Sequence, residues 1–220
     1  IAAQLGVPAE RIRVVHNGSA PPHPVSDPWP HLRPLGIEPG RRVLLSAGNR
    51  LPHKNFDGLL AALTSLPARE RPLTVIPGGG EEDPLASLVA RCELGEDVVL
   101  PGWVSAEQLE ALYSVATLYV CPSLAEGFGL PVLDALRRGV RVVANDIPVL
   151  REVGAECVTY ADASNPTAFA AAIADSLRSP IDPGELEAAT SWAETFTWER
   201  SAERTAEVLR EALGIASGRS

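Results

Sequence analysis

Short apolar runs of strand length recur along this 220-residue chain, and segments with helical spacing separate them. The runs show no alternation of polar and apolar positions, and most contain β-branched residues. Strands that are covered on both faces have this composition, since neither face meets water. Six such strands are predicted, over residues 43–47, 73–76, 98–100, 118–121, 140–144 and 157–160.

The segments between the strands carry helix signals. Apolar residues over 56–66 recur at helical intervals, and Ser105 followed by Gln108 forms a capping box that predicts a helix start. Pro131 and Gly139 suit the start and the end of another helix. Further helix starts are predicted at Asn165, Asp182 and Thr197. The alternation predicts an α/β fold: a Rossmann-like, doubly wound parallel sheet of about six strands with helices on both faces.

The 220 residues are predicted to form one domain. A segment at 19–40 interrupts the regular pattern. Residues 21–34 hold six of the 20 prolines, so an extended crossing or a surface loop without regular structure is expected there. Residues 197–220 are predicted to form a terminal helix and tail, with a frayed end at 218–220. Because the chain begins with Ile1 and contains no methionine, we expect it to be part of a longer polypeptide.

Composition and charge narrow the function classes. Hydrophobic residues make up 45% of the chain, enough for a sizeable core. The net charge of −9 disfavours a broad surface for nucleic acid or an anionic membrane, because the electrostatic contribution would oppose binding. No apolar run approaches the roughly 18 residues of a membrane span. Cys92, Cys121 and Cys157 match neither a disulfide framework nor a metal pair, so a reducing, cytoplasmic compartment is expected.

The segment over 123–136 is the sharpest candidate for chemistry, since it joins a predicted strand to the helix that begins near Pro131. A glycine-rich turn at a helix start presents free backbone N–H groups and the positive end of the helix dipole, which suits a diphosphate. Glu126 and Asp134 flank this turn, and carboxylates accept hydrogen bonds from sugar hydroxyls. A helix start whose acidic residues merely stabilise the helix stays open as the alternative.

A second candidate segment, over 48–56, follows the first predicted strand. Arg50 and Lys54 lie in it at the carboxyl end of that strand, where ligands bind in open α/β sheets. Two cations at this edge would neutralise a leaving diphosphate. A solvated basic loop is the alternative. Two weaker candidates are the glycines at 78–80, which suit a plain turn or a close approach to a ligand, and residues 102–104, which suit contact with a base.

Other chemistries find no support in the sequence. The four histidines have no metal-ligand spacing, so no metal site is predicted. His16 lies beside an apolar run and is interpreted as a packed side chain. The chain contains no P-loop and no nucleophile elbow. No GxGxxG turn follows the first predicted strand, which counts against a Rossmann-type oxidoreductase.

At these residues the chain resembles the C-terminal domain of the group 1 glycosyltransferases, family four of the retaining enzymes with the GT-B fold. Glu126 and Asp134 fit that family's pair of acids separated by seven residues, and the core Gly-Phe-Gly-Leu-Pro lies between them. This segment is the specific signal. Supporting similarity extends over nearly the whole chain, at residues 12–18, 45–56, 151–154 and 196–198.

The resemblance implies a site for a donor substrate, a GDP- or UDP-linked sugar. Arg50 and Lys54 would hold the diphosphate and stabilise it as the leaving group. Glu126 would bind hydroxyls of the donor sugar, and Asp134 would bind the ribose. The other groups implied to surround the donor are Gly48, Val104 beside the base, and the backbone amides around Gly127, Phe128, Gly129 and Leu130. No bound metal and no further cofactor are implied, because the cations and the helix end take the metal's place.

The chain departs from the family's pattern in three ways. Asp134 stands where the family usually has Glu, so its side chain is shorter by one methylene. The spacing from Arg50 to Lys54 leaves the register of Arg50 against the family arginine open by one residue. The family's N-terminal domain, with the acceptor site, has no counterpart here, so we expect the isolated domain to bind donor and be inactive in transfer.

We therefore predict a hexosyltransferase domain for retaining transfer of a hexose to a glycan or lipid-linked acceptor. The residues over 126–131 and 52–55 look most like mannosyltransferase relatives, which favours mannose from GDP-mannose. No nucleic-acid partner is expected, and peripheral association of the full-length enzyme with the inner membrane face stays open. Two alternatives also stay open: a non-catalytic nucleotide-sugar-binding module of the same fold and, less favoured, a Rossmann-type oxidoreductase.

Overall fold

The computed structural model describes residues 6–80 and 82–214, so Ile1 and the predicted frayed end at 218–220 lie outside the described residues. In this part of the chain six parallel strands form one sheet. Every predicted strand overlaps an observed one, which confirms the doubly wound α/β fold. The strands are β1 (Val43–Leu45), β2 (Leu73–Val75), β3 (Val98–Val99), β4 (Ala116–Cys121), β5 (Val142–Asn145) and β6 (Thr159–Ala161).

The strand order β3-β2-β1-β4-β5-β6 reverses direction between β1 and β4. These two strands are direct neighbours, with Leu44 opposite Leu118 and Leu45 opposite Tyr119. Their connections leave toward opposite sides, so a crevice opens at the carboxyl ends of β1 and β4, where open α/β sheets bind their ligands. The topology therefore brings the predicted basic loop beside the predicted glycine turn.

Helices cover both faces of the sheet. Leu44 and Leu118 belong to the core on one face, whereas Leu45 and Tyr119 belong to the core on the other. Because successive strand residues point to opposite faces, continuous apolar strands supply both cores. The helices are α1 (Trp29–Leu32), α2 (Phe56–Thr64), α3 (Leu85–Arg91), α4 (Ala106–Val115), α5 (Leu130–Arg137), α6 (Pro148–Gly154), α7 (Pro166–Arg178), α8 (Pro183–Glu194) and α9 (Trp198–Leu213).

The predicted helix starts are confirmed by their caps. Ser105 and Gln108 form the reciprocal capping box of α4. The side chains of Asn165, Asp182 and Thr197 each accept a backbone N–H from the first turn of α7, α8 and α9. These bonds satisfy N–H groups that have no partner inside the helix, which explains why short polar residues mark the helix starts.

The prediction of no regular structure over 21–34 holds for residues 21–28 and is wrong for residues 29–34. Trp29–Leu32 forms one α-helical turn, and the 3-10 helix Arg33–Leu35 follows it. Prolines are tolerated here because they lie at helix starts, where a backbone N–H would have no helical partner. Leu32 is fully buried and anchors the turn to the core. The seven-residue helices α3 and α6 were not predicted, since each offers too few apolar positions to define a period.

Two expectations about the chemistry of the chain also have structural outcomes. All three cysteines are free thiols in the structure. Across residues 6–80 and 82–214, no helix has the length and apolar character that crossing a membrane requires.

Candidate functional site

The turn before α5 carries unpaired backbone donors. Among the described residues, no protein group accepts a hydrogen bond from the N–H of Gly127, Phe128, Gly129 or Leu130. Gly129 has a φ of 101°, in the left-handed region that favours glycine, and a Cβ there would lie 2.9 Å from the Leu150 side chain. Free amides together with the helix dipole form a site suited to an anion.

Lys54 and Glu126 meet beside this turn. The Lys54 Nζ donates to Glu126 Oε1 at 2.7 Å, and the Ser123 hydroxyl donates to the same oxygen at 2.7 Å. The two charged side chains are 15% and 9% exposed. The Lys54 stem lies on Gly48, where a Cβ would be 3.7 Å from the Lys54 Cδ. The structure thus brings three of the predicted site residues together at the crevice.

Two asparagines that were not predicted as site residues hold this edge of the sheet. Asn55 has a φ of 53°, and its amide donates to the carbonyls of Pro122 and Ala163 at 3.1 and 3.0 Å. The buried Asn145 donates to the Ser123 carbonyl at 2.9 Å and accepts the Ala163 N–H at 2.9 Å. These bonds connect the loops after β1, β4 and β6. Asparagine adopts the left-handed conformation more readily than most residues, which is the sequence signal for Asn55.

Arg50, predicted to hold a diphosphate, has its guanidinium engaged within the protein. Its Nε and Nη2 donate to the Asp83 carboxylate at 3.0 and 2.7 Å. Its Nη1 donates to the Gly48 carbonyl at 2.8 Å and the Pro77 carbonyl at 3.3 Å, and Nη2 also donates to the Ile76 carbonyl at 2.7 Å. Arg50 and Asp83 are each 8% exposed. Asp83 was not predicted, since it lies in a different loop and 33 residues away.

Competing effects act on the Asp83 carboxyl. Burial favours its neutral form and would raise its pKa. The hydrogen bonds from Arg50 and from the Leu85 N–H, with the positive charge of Arg50, outweigh burial, so the pKa is lowered below its ordinary value. The fold therefore favours the ionised form of Asp83, which is paired with Arg50.

Asp134 faces the N-terminal segment of the chain. The hydroxyl of the buried Ser19 donates to Asp134 Oδ1 at 2.5 Å, and Arg138 Nη1 lies 3.8 Å from the same oxygen. Burial raises the pKa of Asp134, while the Ser19 hydrogen bond and the charge of Arg138 act in the opposite direction. The two predicted acids thus occupy different surroundings, with Glu126 at the crevice and Asp134 on α5 against Ser19.

An aromatic cluster supports the turn from the side of the N-terminal segment. The His16 ring lies 5.7 Å from the rings of both Phe128 and Phe196. His16 Nε2 lies 2.7 Å from Glu152 Oε1, and the histidine side chain is 46% exposed. His16 therefore contacts aromatic rings and a carboxylate at the surface, and its interpretation as a packed side chain stays a prediction. It also lines a groove of about 700 Å³, which none of the predicted donor-site residues line.

The weaker candidate segments also lie at the carboxyl edge of the sheet. Gly78 has a φ of 102°, its N–H donates to the Gly102 carbonyl at 2.8 Å, and a Cβ on it would lie 2.4 Å from the Gly48 oxygen. A glycine is required at position 78 because the loops after β1 and β2 approach each other closely there. Val104 is half-buried and follows Trp103, whose side chain is 77% exposed. The predicted contact of Val104 with a base stays a prediction.

A metal site was not predicted, and the described residues offer no cluster for one. Over residues 6–80 and 82–214, no three His, Cys, Asp or Glu side chains are grouped so that they could hold a metal ion. The positive charge at the crevice comes from Lys54 and the amide turn. Independence from metal remains a prediction.

Comparisons with known sequences show what the chain is similar to. Residues 29–194 match the sequence model of a family described as Glycosyl transferases group 1. The O-antigen chain mannosyltransferase B of Escherichia coli is 37% identical over 170 residues, which are 73% of this chain and 44% of that protein. The MMP alpha-(1->4)-mannosyltransferase of Mycolicibacterium hassiacum is 31% identical over 203 residues, 83% of this chain and 48% of that protein. The chain spans about half the length of these curated relatives.

Solved structures share the fold. A glycosyltransferase from Rickettsia africae has a TM-score of 0.84 at 18% identity, covering 94% of this chain and 59% of that chain. Anabaena HepE, solved in complex with UDP and glucose, has a TM-score of 0.78 at 22% identity, covering 95% and 59%. At these identities the likeness supports the architecture alone.

Proposed function

The chain belongs to the group 1 glycosyltransferases, and on that premise we propose that it binds the nucleotide-diphosphate sugar from which a hexose is transferred. The observation that carries this proposal is the juxtaposition at the crevice: four unpaired amides lie before α5, and the Lys54–Glu126 pair lies beside them. Lys54 and the amides supply positive charge, and the Glu126 carboxylate supplies an acceptor for hydroxyl groups, within one site.

The amide turn and Lys54 would act on the diphosphate. Negative charge grows on the diphosphate as the bond from the sugar C1 to its oxygen breaks. Donors already aimed at that position stabilise the charge without reorganising, which lowers the barrier. The ammonium of Lys54 has three N–H groups, so it can contact a phosphate and keep Glu126. We assign Lys54 and the amides of residues 127–130 to leaving-group stabilisation.

Glu126 would act on the sugar. Its Oε1 receives Lys54 and Ser123, and among the described residues Oε2 receives no hydrogen bond. A carboxylate with a free oxygen accepts hydrogen bonds from neighbouring hydroxyls of a hexose. Its position beside the amide turn suits a sugar joined to the bound phosphate. Asp134 remains our candidate for the nucleotide ribose.

The finer assignment is a mannosyl donor and a glycan or lipid-linked acceptor. Two curated relatives above 30% identity are named mannosyltransferases, which supports mannose. Because one structural neighbour was solved with UDP and glucose, a UDP-linked sugar is the alternative donor. Because Lys54 and the amides supply positive charge, we further propose that binding needs no metal. A chelator should leave the affinity unchanged.

A donor-binding module without transfer activity is the second candidate. It is favoured by the engagement of the Arg50 guanidinium with the Asp83 carboxylate in this structure. Turnover separates the candidates, since a module binds donor saturably and transfers nothing even when linked to its natural preceding sequence.

Calorimetric titration tests the proposal directly. We expect saturable binding of GDP-mannose or UDP-glucose, with no binding of NAD. The matched variant Lys54→Ala should bind the same nucleotide sugar more weakly. Binding of NAD in preference to both sugars would reject the assignment and return the chain to the oxidoreductase class.

A further inference from the structure

We propose that Ser19 is a positioning residue for the nucleotide ribose: its hydroxyl holds one oxygen of the Asp134 carboxylate and leaves the other oxygen for the ribose hydroxyls. This inference rests on the proposed donor site, with Asp134 as the group that contacts the ribose. Ser19 lies 115 residues before Asp134, outside both segments that identified the crevice. It adds the N-terminal segment of the chain to the donor site.

The two oxygens of the Asp134 carboxylate are used differently. Oδ1 accepts the Ser19 hydroxyl at 2.5 Å, and Arg138 Nη1 lies 3.8 Å from the same oxygen. Among the described residues, no group donates a hydrogen bond to Oδ2. The Asp134 side chain is 33% exposed, whereas Ser19 is 3% exposed. A ligand can therefore reach the carboxylate but not the serine, and Oδ2 can accept hydrogen bonds from a diol.

The backbone of Ser19 is fixed from both sides. Its N–H donates to the Phe196 carbonyl at 3.0 Å, and its carbonyl accepts a hydrogen bond from Arg137 Nη1. The preceding Gly18 lies so close to the start of α9 that a Cβ on it would be 2.1 Å from the Trp198 nitrogen. These contacts hold the serine between α5 and α9. The hydroxyl is therefore in place before a ligand arrives, which reduces the cost of ordering the site on binding.

The Ser19 hydroxyl has one proton and two acceptors near it. The Ala20 carbonyl lies 3.5 Å away, whereas Asp134 Oδ1 lies 2.5 Å away. Because a hydrogen bond to a carboxylate is charge-assisted and 3.5 Å is long for an O–H donor, the proton is directed at Asp134. Burial raises the pKa of Asp134, and the Ser19 hydrogen bond acts in the opposite direction. Ser19 thus favours the ionised carboxylate, the form that accepts hydrogen bonds from hydroxyls.

Arg138 does not replace Ser19 at this carboxylate. Its Nε donates to Glu110 Oε2 at 2.9 Å, its Nη2 donates to Glu110 Oε1, and its guanidinium carbon lies 4.9 Å from the centroid of the Tyr113 ring. Its Nη1 donates to the backbone carbonyl of Asp134 at 3.0 Å, and the 3.8 Å to Oδ1 exceeds hydrogen-bonding distance. Arg138 therefore contributes positive charge beside the carboxylate, while Ser19 fixes the direction in which it points.

Loss of the Ser19 hydroxyl would let the carboxylate turn. Once Oδ1 is released, Arg138 Nη1 is a charged donor only 3.8 Å away. A carboxylate that closes onto Arg138 gains a charge-assisted hydrogen bond and presents a different edge to the ribose. Small displacements of this kind weaken binding at the displaced group, whereas the groups that bind phosphate stay in place. The expected loss is therefore confined to recognition of the ribose hydroxyls.

The experiment compares a nucleotide with its analogue that lacks both ribose hydroxyls. Calorimetry measures the affinities of GDP and 2′,3′-dideoxy-GDP, or of the corresponding uridine pair if UDP binds more tightly, for the unaltered chain and for Ser19→Ala. We expect the unaltered chain to prefer GDP by about tenfold, and Ser19→Ala to reduce that preference to about threefold or less. The dideoxy nucleotide should bind both proteins equally. An unchanged preference, or an equal loss of affinity for both nucleotides, would overturn the proposal.

Two further variants separate positioning from packing. Ser19→Thr keeps the hydroxyl and should keep the preference for GDP over the dideoxy analogue. Ser19→Cys replaces one atom and offers only a weak donor, so it should lose the preference as Ser19→Ala does. Equal preferences in the threonine and cysteine variants would reject the role of the hydroxyl. Thermal melts establish that each variant is folded, and Ser19→Cys carries the test if Ser19→Ala is not.

Ser114→Ala is the matched control. The Ser114 hydroxyl donates to the Ala111 carbonyl within α4 at 2.8 Å, so this variant removes a serine hydroxyl that does not contact Asp134 and should keep the preference. In an Asp134→Ala background, Ser19→Ala should cause no additional loss of preference, and an additional loss would contradict action through Asp134. If the unaltered chain binds neither GDP nor UDP and neither of their sugars, the proposed function fails and this inference with it. If it binds them with a ribose preference that Ser19 does not alter, only this inference fails.

Discussion

Two ion pairs join neighbouring loops at the carboxyl edge of the sheet, and they differ in how completely their hydrogen-bonding groups are used. Arg50 and Asp83 join the loops after β1 and β2, whereas Lys54 and Glu126 join the loops after β1 and β4. Both pairs are largely withdrawn from water. The guanidinium has every N–H directed at a protein acceptor, while among the described residues the ammonium bonds one carboxylate.

The difference is one of spare hydrogen-bond donors: the N–H groups of Arg50 are directed at protein acceptors, whereas among the described residues Lys54 bonds only Glu126. Lys54 is the only lysine among the 19 basic residues of the chain. An ammonium is a compact charge on a flexible stem, whereas a guanidinium has a fixed fork that suits permanent pairing.

The largest expected effect comes from breaking the Arg50–Asp83 pair. Asp83→Asn should lower the free energy of unfolding by about 3 kcal/mol near pH 7, because Arg50 loses its charged partner inside the protein. Since the fold lowers the pKa of Asp83, its contribution is complete above the ordinary value of 3.8 and disappears as the pH falls through the lowered pKa. Denaturant unfolding should show a large difference in the free energy of unfolding between the unaltered chain and Asp83→Asn at pH 7, and a small difference in acid.

The control for that gap is Asp146→Asn, which alters an exposed pair and should change stability little. A gap for Asp83→Asn that stays constant across pH would mean that the carboxylate's charge is not the stabilising feature.

Removal of Lys54, the cation of the Lys54–Glu126 pair, should weaken ligand binding. Lys54→Ala should weaken nucleotide-diphosphate binding by more than about tenfold, or roughly 1.4 kcal/mol, because the phosphates lose their nearest positive side chain. Calorimetry with GDP measures this change. Unaltered affinity would remove Lys54 from the site.

The single lysine allows an independent check of the same assignment. Acylation of amines modifies Lys54 and the chain's α-amino group, and peptide mass spectrometry separates the two. Bound nucleotide sugar should slow acylation at Lys54 alone. Equal protection at both positions would indicate a general effect on the chain.

Glu126→Ala should act on the sugar alone. GDP affinity should stay near its original value, while the advantage of GDP-mannose over GDP should fall by about tenfold or more, since a lost hydrogen bond to a charged group costs roughly 1.5 kcal/mol or more. Glu126→Gln retains a hydroxyl acceptor and should keep part of that advantage. Equal losses for GDP and GDP-mannose would contradict the sugar assignment.

The smallest expected effect concerns Asp134, whose carboxyl responds to pH with the opposite sign to Asp83. Burial raises its pKa, so the fold favours the protonated form, and this contribution is lost as the pH rises through the raised value. Asp134→Asn cannot ionise and keeps an oxygen for Ser19. Its melting temperature should match the original chain in acid and be slightly higher at pH 7. A lower value at pH 7 would show that the charge stabilises the fold.

The fold was predictable because its signals are local. Apolar runs such as 118–121 correspond to a buried strand, and Ser105 and Thr197 cap helices as their short polar side chains predict. Local signals failed where elements are short. The turn at Trp29–Leu32 forms among prolines because Leu32 enters the core, a contact that no local pattern contains.

The site was predictable in part. Glu126 and Lys54 were identified from their motifs, and the sheet brings them within 2.7 Å. Asn145 and Asp83 were missed, because each acts through a partner on another loop. For Asn55, the left-handed preference of asparagine was an available signal.

By itself, the sequence determined the strands, the capped helices and the residue types at the crevice, since each depends on neighbours within a few positions. Only the tertiary structure decided which charges pair with one another. Arg50 and Lys54 lie in one loop, yet Arg50 pairs with Asp83 of the loop after β2, and Lys54 pairs with Glu126 of the loop after β4. That outcome depends on distances between segments far apart in the chain, which folding alone establishes.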